Sequence, residues 1–223
     1  MSLSVAVNRI LAPITALGPG RRLGLWVQGC ALRCEGCASR DTWDPSGGRL
    51  MPTEELAAEL NRLIELHELD GLTLTGGEPF DQAEALAETL RLLRLRPAPS
   101  ERSDSAPEIP GESKASLDVL AFTGYTASAA KRKAGALWEM LDAVVAGPYR
   151  QDLPSDEPLI ASSNQQLIRL NPDWEPGPAR RMQVMTVDGE LVLAGLPRPG
   201  DLDRLEAELA RRGVVLGGLS WRD

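Results

Sequence analysis

Three cysteines in one short stretch, Cys30, Cys34 and Cys37, are the residues best suited to chemistry in this sequence. They are the only cysteines among 223 residues, and an odd number of closely spaced thiols does not suit a set of disulfides. Thiolate sulfur is a preferred ligand of zinc and of iron–sulfur clusters. The spacing therefore indicates a metal centre on a loop.

The number of available ligands separates the candidate metals. A closed structural zinc site takes four ligands, and the single histidine, His67, lies far downstream in a predicted helix where we assign it no role. A 4Fe–4S cluster held by three cysteines keeps one iron without a protein ligand, where a substrate or cofactor can bind. We favour this cluster, and a zinc loop completed by an aspartate or a partner chain is the alternative.

Composition limits the classes of function. The net charge of −8 and the pI near 4.9 do not suggest a nucleic-acid-binding face. Asn8, Arg9 and Pro13 interrupt the N-terminal stretch, which argues against a signal peptide, and no apolar run approaches a membrane helix. Reduced, clustered cysteines then predict a cytoplasmic protein without a membrane partner. Arg21 and Arg22, in a predicted turn, are expected to be surface charges, and contact with a substrate or a carboxylate is the alternative.

Short apolar runs alternate with amphipathic segments over the first two thirds of the chain. This alternation predicts βαβ units and hence an α/β fold with a parallel sheet. The predicted strands are 3–12, 23–28, 72–75, 119–122 and 143–145, and the predicted helices run from 53 to Gly71, over 81–95, and up to about Met140.

Two later segments depart from this pattern. Residues 96–116 are rich in Pro, Ser and Glu, and we expect a mobile surface insertion there. After Pro154 a possible strand at 167–170, a hairpin over 182–193 and a helix over 201–212 predict a small α+β appendage. The predicted domains are therefore 1–150 and 151–223.

Four motifs each follow a predicted strand. They are Cys30, Gly76-Gly77-Glu78, Thr123-Gly124-Tyr125 and Gly147-Pro148. Because the carboxyl ends of parallel strands share one edge of a sheet or barrel, and ligands bind at that edge, the four motifs should meet at one mouth.

The spacing Cys30-x-x-x-Cys34-x-x-Cys37, with Gly76-Gly77-Glu78-Pro79 downstream, resembles the radical S-adenosylmethionine superfamily. Within it, the sequence is most similar to the activating enzymes of anaerobic ribonucleotide reductase and their glycyl-radical-activase relatives. The resemblance covers roughly residues 5–150 apart from the insertion. Its further support is Trp26-Val27-Gln28-Gly29, Arg40-Asp41-Thr42-Trp43, Thr123-Gly124-Tyr125 and residues 142–149.

The resemblance implies a partial (βα) barrel in which Cys30, Cys34 and Cys37 hold a 4Fe–4S cluster. S-adenosylmethionine would chelate the open iron through its amino and carboxylate groups. One electron from the reduced cluster would cleave a sulfonium C–S bond and yield a 5′-deoxyadenosyl radical that abstracts a hydrogen atom. Cluster potentials reach roughly −700 mV, low enough for such a transfer.

The resemblance also implies a set of residues that bind S-adenosylmethionine. Gly76 and Gly77 would let the backbone approach its methionyl group, and Glu78 would accept from its ammonium or brace the loop. Ala38-Ser39 stand where this group commonly has an aromatic residue and Asn, so adenine lacks that stacking partner. The expected cofactor-binding residues are Gly76, Gly77, Glu78, Pro79, Thr123, Gly124 and Tyr125.

The implied function is the installation of a glycyl radical on a partner protein such as an anaerobic ribonucleotide reductase. A low-potential donor such as flavodoxin or ferredoxin would supply the electron. The alternatives are a radical maturase acting on a peptide or small molecule, and a non-catalytic iron–sulfur module.

Overall fold

The computed structural model describes residues 2–94, 117–177, 181–187, 189–215 and 217, so the predicted insertion at 96–116 lies outside the described residues. The elements, in chain order, are β1 Ser4–Ile14, β2 Arg22–Val27, β3 Arg49–Pro52, α1 Thr53–His67, β4 Gly71–Gly76, α2 Ala83–Arg94, β5 Asp118–Thr123, α3 Ala127–Ala134, β6 Ala143–Ala146, β7 Gln166–Arg169, β8 Met182–Val187, β9 Glu190–Gly195 and α4 Asp201–Arg211.

Seven strands form one mixed sheet in the order β3-β1-β2-β4-β5-β6-β7. The four central strands β2, β4, β5 and β6 are parallel, which confirms the predicted α/β class and its parallel core. Antiparallel β1 and β3 flank one side and antiparallel β7 the other. The antiparallel pairing of these edge strands was not predicted, because the direction of a strand and the strand it pairs with depend on tertiary contacts. The short β3 was missed because three of its four residues are exposed.

One face of the sheet packs against the helices. Strand side chains alternate between faces, so every second residue of the parallel strands points to this side. Leucines spaced along one side of α1 and of α2 meet them and form the main core. Its fully or nearly fully buried members include Leu23, Leu25, Val27, Leu56, Leu60, Leu72, Leu74, Leu86 and Leu90.

The opposite face is covered by the C-terminal third of the chain. Leu120 and Val145 pack with Ile160 and Trp174, which lie between β6 and β8. Trp26 packs with Ala194 of the β8–β9 hairpin and with β1 residues. The pairing of β7 with β6 also joins this third to the main sheet. The domain boundary near residue 150 stays a prediction.

Arg22 corrects the expectation of a surface charge. Its side chain is fully buried and donates to the Asp118 carboxylate at 2.7 Å and to the Thr73 hydroxyl at 2.7 Å. Strand alternation places it on the face that carries Trp26, and a side chain at Gly71 would collide with the guanidinium. Arg21, one residue earlier, is exposed as expected and donates to the His67 carbonyl.

The third predicted helix ends early. α3 stops at Ala134, and Gly135, with φ +53°, begins a tighter 3-10 segment through Met140. Within the described ranges, no helix combines the length and apolar character that crossing a bilayer requires.

Candidate metal and cofactor site

The three cysteines lie on a loop, residues 29–48, that follows the carboxyl end of β2. This cysteine loop folds back on itself, since the N–H groups of Gly29 and Cys30 donate to the carbonyls of Thr42 and Trp43 at 2.7 and 3.2 Å. Two residues between the cysteines, Arg33 and Gly36, have positive φ values of 46° and 74°. These hydrogen bonds and the two left-handed residues set the course of the loop.

Gln28 anchors this loop to the sheet. Its buried side chain accepts from the Asn8 amide at 2.7 Å and donates to the carbonyls of Asp41 and Asp44 at 3.1 and 2.6 Å. Arg9 adds a second tie, because it pairs with Asp41. Neither role was predicted from the sequence, although the position of Gln28 directly before Gly29-Cys30 indicates a place beside the cysteine loop.

The thiols sit in a partly desolvated setting with donors aimed at sulfur. Burial raises the pKa of the Cys30 thiol, and the N–H groups of Leu32 and Arg33 act against that rise. Burial also raises the pKa of Cys37, whose sulfur accepts from the Ser39 N–H at 3.4 Å. Sulfurs that receive N–H donors are well suited to bear thiolate charge in a bound cluster.

Gly76 and Gly77 bring the end of β4 against the start of the cysteine loop. The N–H of Gly77 donates to the Val27 carbonyl at 2.8 Å, and that of Glu78 donates to the Gly29 carbonyl at 2.9 Å. A side chain at Gly77 would collide with the Gly29 carbonyl, and Gly76 has a positive φ of 96°. The close approach of the end of β4 to the backbone of Val27 and Gly29 therefore requires glycine at both positions.

Glu78 braces the loop after β4 against the loop after β5. Its buried carboxylate accepts from the Thr123 hydroxyl at 2.8 Å, the Gly124 N–H at 2.9 Å and the Phe80 N–H at 3.0 Å. Of the two roles the resemblance offered, the observed contacts are those of the brace. Burial outweighs these three donors and raises the pKa of the Glu78 carboxyl to about 7.

This pKa gives stability a defined pH dependence. Between its ordinary pKa of 4.5 and about 7, Glu78 holds a proton in the folded chain and has lost it in the unfolded chain. The contribution of Glu78 to stability therefore falls as pH rises through that window. A Glu78→Gln variant presents an amide NH₂ to one of the donors, so we expect it to lose ~1–3 kcal/mol of unfolding free energy at pH 5. That loss should shrink toward pH 8.

Denaturant unfolding of wild type and Glu78→Gln at pH 5, 6, 7 and 8 measures this effect. Glu84→Gln, on an exposed carboxylate at the start of α2, is the matched control and should track wild type. A difference between wild type and Glu78→Gln that is constant over this range would contradict the assigned titration.

One cavity joins the four motifs at the carboxyl ends of the parallel strands, as the sequence predicted. Its lining includes the three cysteines together with Gly76, Gly77, Glu78, Thr123 and Gly124. Its empty space, including the opening to solvent, is ≈ 1120 Å³. Segments from four strand ends therefore face one open cavity that contains the thiols.

Two of the predicted cofactor-binding residues lie outside this lining. Pro79 is buried beside the brace, and the Tyr125 hydroxyl donates to Asp81 at 2.8 Å, with Lys133 over its ring. Tyr149, after β6, does line the cavity. Its signal was the Gly147-Pro148-Tyr149 run at a strand end, which sequence analysis noted without assigning Tyr149 a role.

The donor set fits an iron–sulfur cluster. In a 4Fe–4S cluster held by three cysteines, each thiolate binds a different iron. Three free thiols, N–H groups directed at two of the sulfurs, and a cavity lined by all three cysteines match that requirement.

Comparison with known proteins places these residues in context. Residues 16–102 match the family described as a 4Fe-4S single cluster domain. The anaerobic ribonucleoside-triphosphate reductase-activating protein of Enterobacteria phage T4 is 30% identical over 67% of this chain and 85% of its own length. That of Salmonella typhimurium is 30% identical over 69% of this chain and 91% of its own. The pyruvate formate-lyase-activating enzyme of Clostridium pasteurianum is 39% identical over 79 residues, a third of each chain.

Proposed function

The chain belongs to the anaerobic ribonucleoside-triphosphate reductase-activating proteins of the radical S-adenosylmethionine superfamily, and on that premise we propose that it installs a glycyl radical on a partner protein. The favoured partner is an anaerobic ribonucleoside-triphosphate reductase. The observation that carries this proposal is the convergence of three cysteines and the Gly76-Gly77 backbone on one cavity.

We propose Cys30, Cys34 and Cys37 as the residues that hold the 4Fe–4S cluster. S-adenosylmethionine would lie between them and the backbone of Gly76, Gly77 and Gly124, which lines the same cavity. When bound, the cluster would supply a low-potential electron, and S-adenosylmethionine would supply the sulfonium C–S bond that this electron can break.

The protein's own part is positioning and exclusion of water. Glu78 is engaged by three donors, so we assign it to holding two loops in register rather than to proton transfer. Gln28 fixes the cysteine loop to β1 and β2. Trp26, Leu32 and Phe122 give the cavity apolar walls that limit water around the reacting groups.

Three finer features belong to this proposal. The sheet would form the partial barrel of the superfamily, which the parallel core of β2, β4, β5 and β6 supports. A low-potential protein such as flavodoxin or ferredoxin would deliver the electron. Free, clustered cysteines suit a reducing cytoplasm.

The test is anaerobic reconstitution with iron and sulfide, followed by reduction with and without candidate partners. We expect 5′-deoxyadenosine from S-adenosylmethionine, and a glycyl-radical EPR signal on the anaerobic ribonucleoside-triphosphate reductase of the source organism. A signal on a pyruvate formate-lyase instead would reassign the partner. Cleavage without a radical on either would favour a maturase of peptides or small molecules, and absence of cleavage a non-catalytic module.

A further inference from the structure

We propose that Tyr149 supplies the aromatic face on which the adenine of S-adenosylmethionine stacks, and that the turn at residues 162–165 holds Tyr149 in place. This inference rests on the proposed function and concerns the adenosyl end of its cofactor. The cysteine loop offers adenine no ring, because Ala38 and Ser39, where this group of activases commonly has an aromatic residue and Asn, line the cavity with small side chains.

The segment that follows β6, residues 147–151, lies against the cysteine loop. The Gln151 side chain donates to the Glu35 carboxylate at 2.7 Å. Tyr149 lines the cavity together with Cys37. Burial raises the pKa of the Tyr149 hydroxyl, and charge on Cys37 adds to the rise, so the two side chains are close enough to interact electrostatically. The Tyr149 side chain therefore lies in the part of the cavity that holds Cys37.

Three side chains of the turn at residues 162–165 hold the backbone on both sides of Tyr149. The hydrogen bonds join the Gln165 amide to the Gly147 carbonyl at 3.1 Å, the Asn164 amide to the Pro148 carbonyl at 2.8 Å, and the Ser162 hydroxyl to the Arg150 N–H at 3.1 Å. The turn itself is closed by the Gln165 N–H, which donates to the Ser162 carbonyl at 2.9 Å. Because the backbone is held before and after Tyr149, its side chain has a fixed place in the cavity.

The other aromatic rings that line the cavity already have neighbours. Two tryptophans each carry a guanidinium over the ring, with Arg9 5.1 Å from the centre of Trp26 and Arg40 5.5 Å from that of Trp43. Phe122 packs against two of the apolar clusters. Over the part of the chain that the structure describes, no other ring and no cation lies against the ring of Tyr149. Tyr149 is therefore the ring in the cavity lining best placed to receive a planar ligand.

Stacking on Tyr149 would make a defined contribution to binding. Every nucleobase has a π-face, and a base stacks on an aromatic side chain through that face without a hydrogen bond. Loss of such a stack weakens binding about 5–150-fold. This contribution should depend on the ring of Tyr149 and not on its hydroxyl, and it should leave the methionyl end of the ligand unaffected.

Two substitutions at Tyr149 separate the ring from the hydroxyl. Tyr149→Leu removes the ring, and Tyr149→Phe keeps it. For each protein, reconstituted with iron and sulfide and kept oxidised, we measure the Kd of S-adenosylmethionine by equilibrium dialysis. We expect Tyr149→Leu to raise the Kd at least fivefold with unchanged iron and sulfide, and Tyr149→Phe to match wild type. With saturating S-adenosylmethionine, the coupling of an amino ¹⁵N label to the reduced cluster should persist in Tyr149→Leu.

Asn164→Ala tests the turn that holds Tyr149. It removes the hydrogen bond to the Pro148 carbonyl and should raise the same Kd, though less than Tyr149→Leu does. Combined with Tyr149→Leu it should raise the Kd no further, because a positioning residue acts only through the ring that it positions. Ser163→Ala, at an exposed position of the same turn, is the matched control and should bind as wild type does.

Three outcomes would overturn the proposal. One is an unchanged Kd in Tyr149→Leu, which would place adenine elsewhere. Another is an equal loss in Tyr149→Phe, which would assign binding to the hydroxyl. The third is a loss of iron and sulfide from Tyr149→Leu, which would make Tyr149 a support of the cluster. If melting temperatures show that Tyr149→Leu does not fold, Tyr149→Met takes its place with the same expected rise in Kd. If wild type itself binds no S-adenosylmethionine, the proposed function fails instead.

Discussion

A Cys34→Ala variant is expected to retain almost none of the iron and sulfide that the reconstituted wild-type protein binds. Three thiolates are the whole proposed protein ligand set, so the loss of one leaves a second iron without a protein ligand. Even substitutions that only support metal ligands lower affinity by ~10–100-fold, and loss of a ligand should cost more. Iron and sulfide analysis with the visible absorption spectrum measures the outcome, and Cys30→Ala and Cys37→Ala should behave alike.

Ser46→Ala is the matched control for the cysteine variants. Ser46 lies on the same loop, and its hydroxyl donates to Asp44 rather than to a sulfur. It should bind iron and sulfide as wild type does. Full retention of the cluster in any of the three cysteine variants would contradict the ligand assignment.

An Arg22→Met variant is expected to lose ~3–5 kcal/mol of unfolding free energy, because removing one member of a buried ion pair strands the other. Among the side chains of the described residues, Asp118 would keep only the Trp174 indole N–H as a hydrogen-bond donor. The Thr73 hydroxyl and the Leu72 carbonyl would lose the guanidinium as well. Folded proteins have only ~5–15 kcal/mol in total, so the variant should lose a large share of its stability and unfold at a clearly lower urea concentration than wild type.

Arg21→Met separates this effect from the loss of a positive charge. It changes the same residue type at the adjacent exposed position, and urea unfolding should place it close to wild type. A loss below ~1 kcal/mol in Arg22→Met would show that the Arg22–Asp118 pair is replaceable, and the buried pair would then not be needed for the sheet.

Much of the fold could be predicted because its signals are local. Apolar runs followed by Gly-rich turns predict β2, β4, β5 and β6. Because ligands bind at the carboxyl ends of parallel strands, the same pattern predicts that Cys30, Gly77, Glu78 and Thr123 share one cavity. Helix periodicity located α1 and α2, and Gly135 explains why the third helix ended before its predicted limit.

What could not be predicted depends on contacts between distant segments. Whether Arg22 faces solvent or Asp118 is decided by strand alternation and by the missing side chain at Gly71. Tyr125 follows a strand end, as expected, but its hydroxyl donates to Asp81, which lies in the 3-10 segment between β4 and α2. That Leu196 lines the cavity could not be predicted, because it depends on where the β8–β9 hairpin docks on the main sheet.

The proposed cleavage of S-adenosylmethionine depends on one iron of the cluster that has no protein ligand. The most direct measurement is electron–nuclear double resonance on the reduced, reconstituted protein with S-adenosylmethionine labelled with ¹⁵N at the amino group and ¹⁷O at the carboxylate. We expect hyperfine coupling of both labels to the cluster, abolished together with the cluster in Cys34→Ala. A fully assembled cluster whose spectrum shows no coupling to either label would contradict the account.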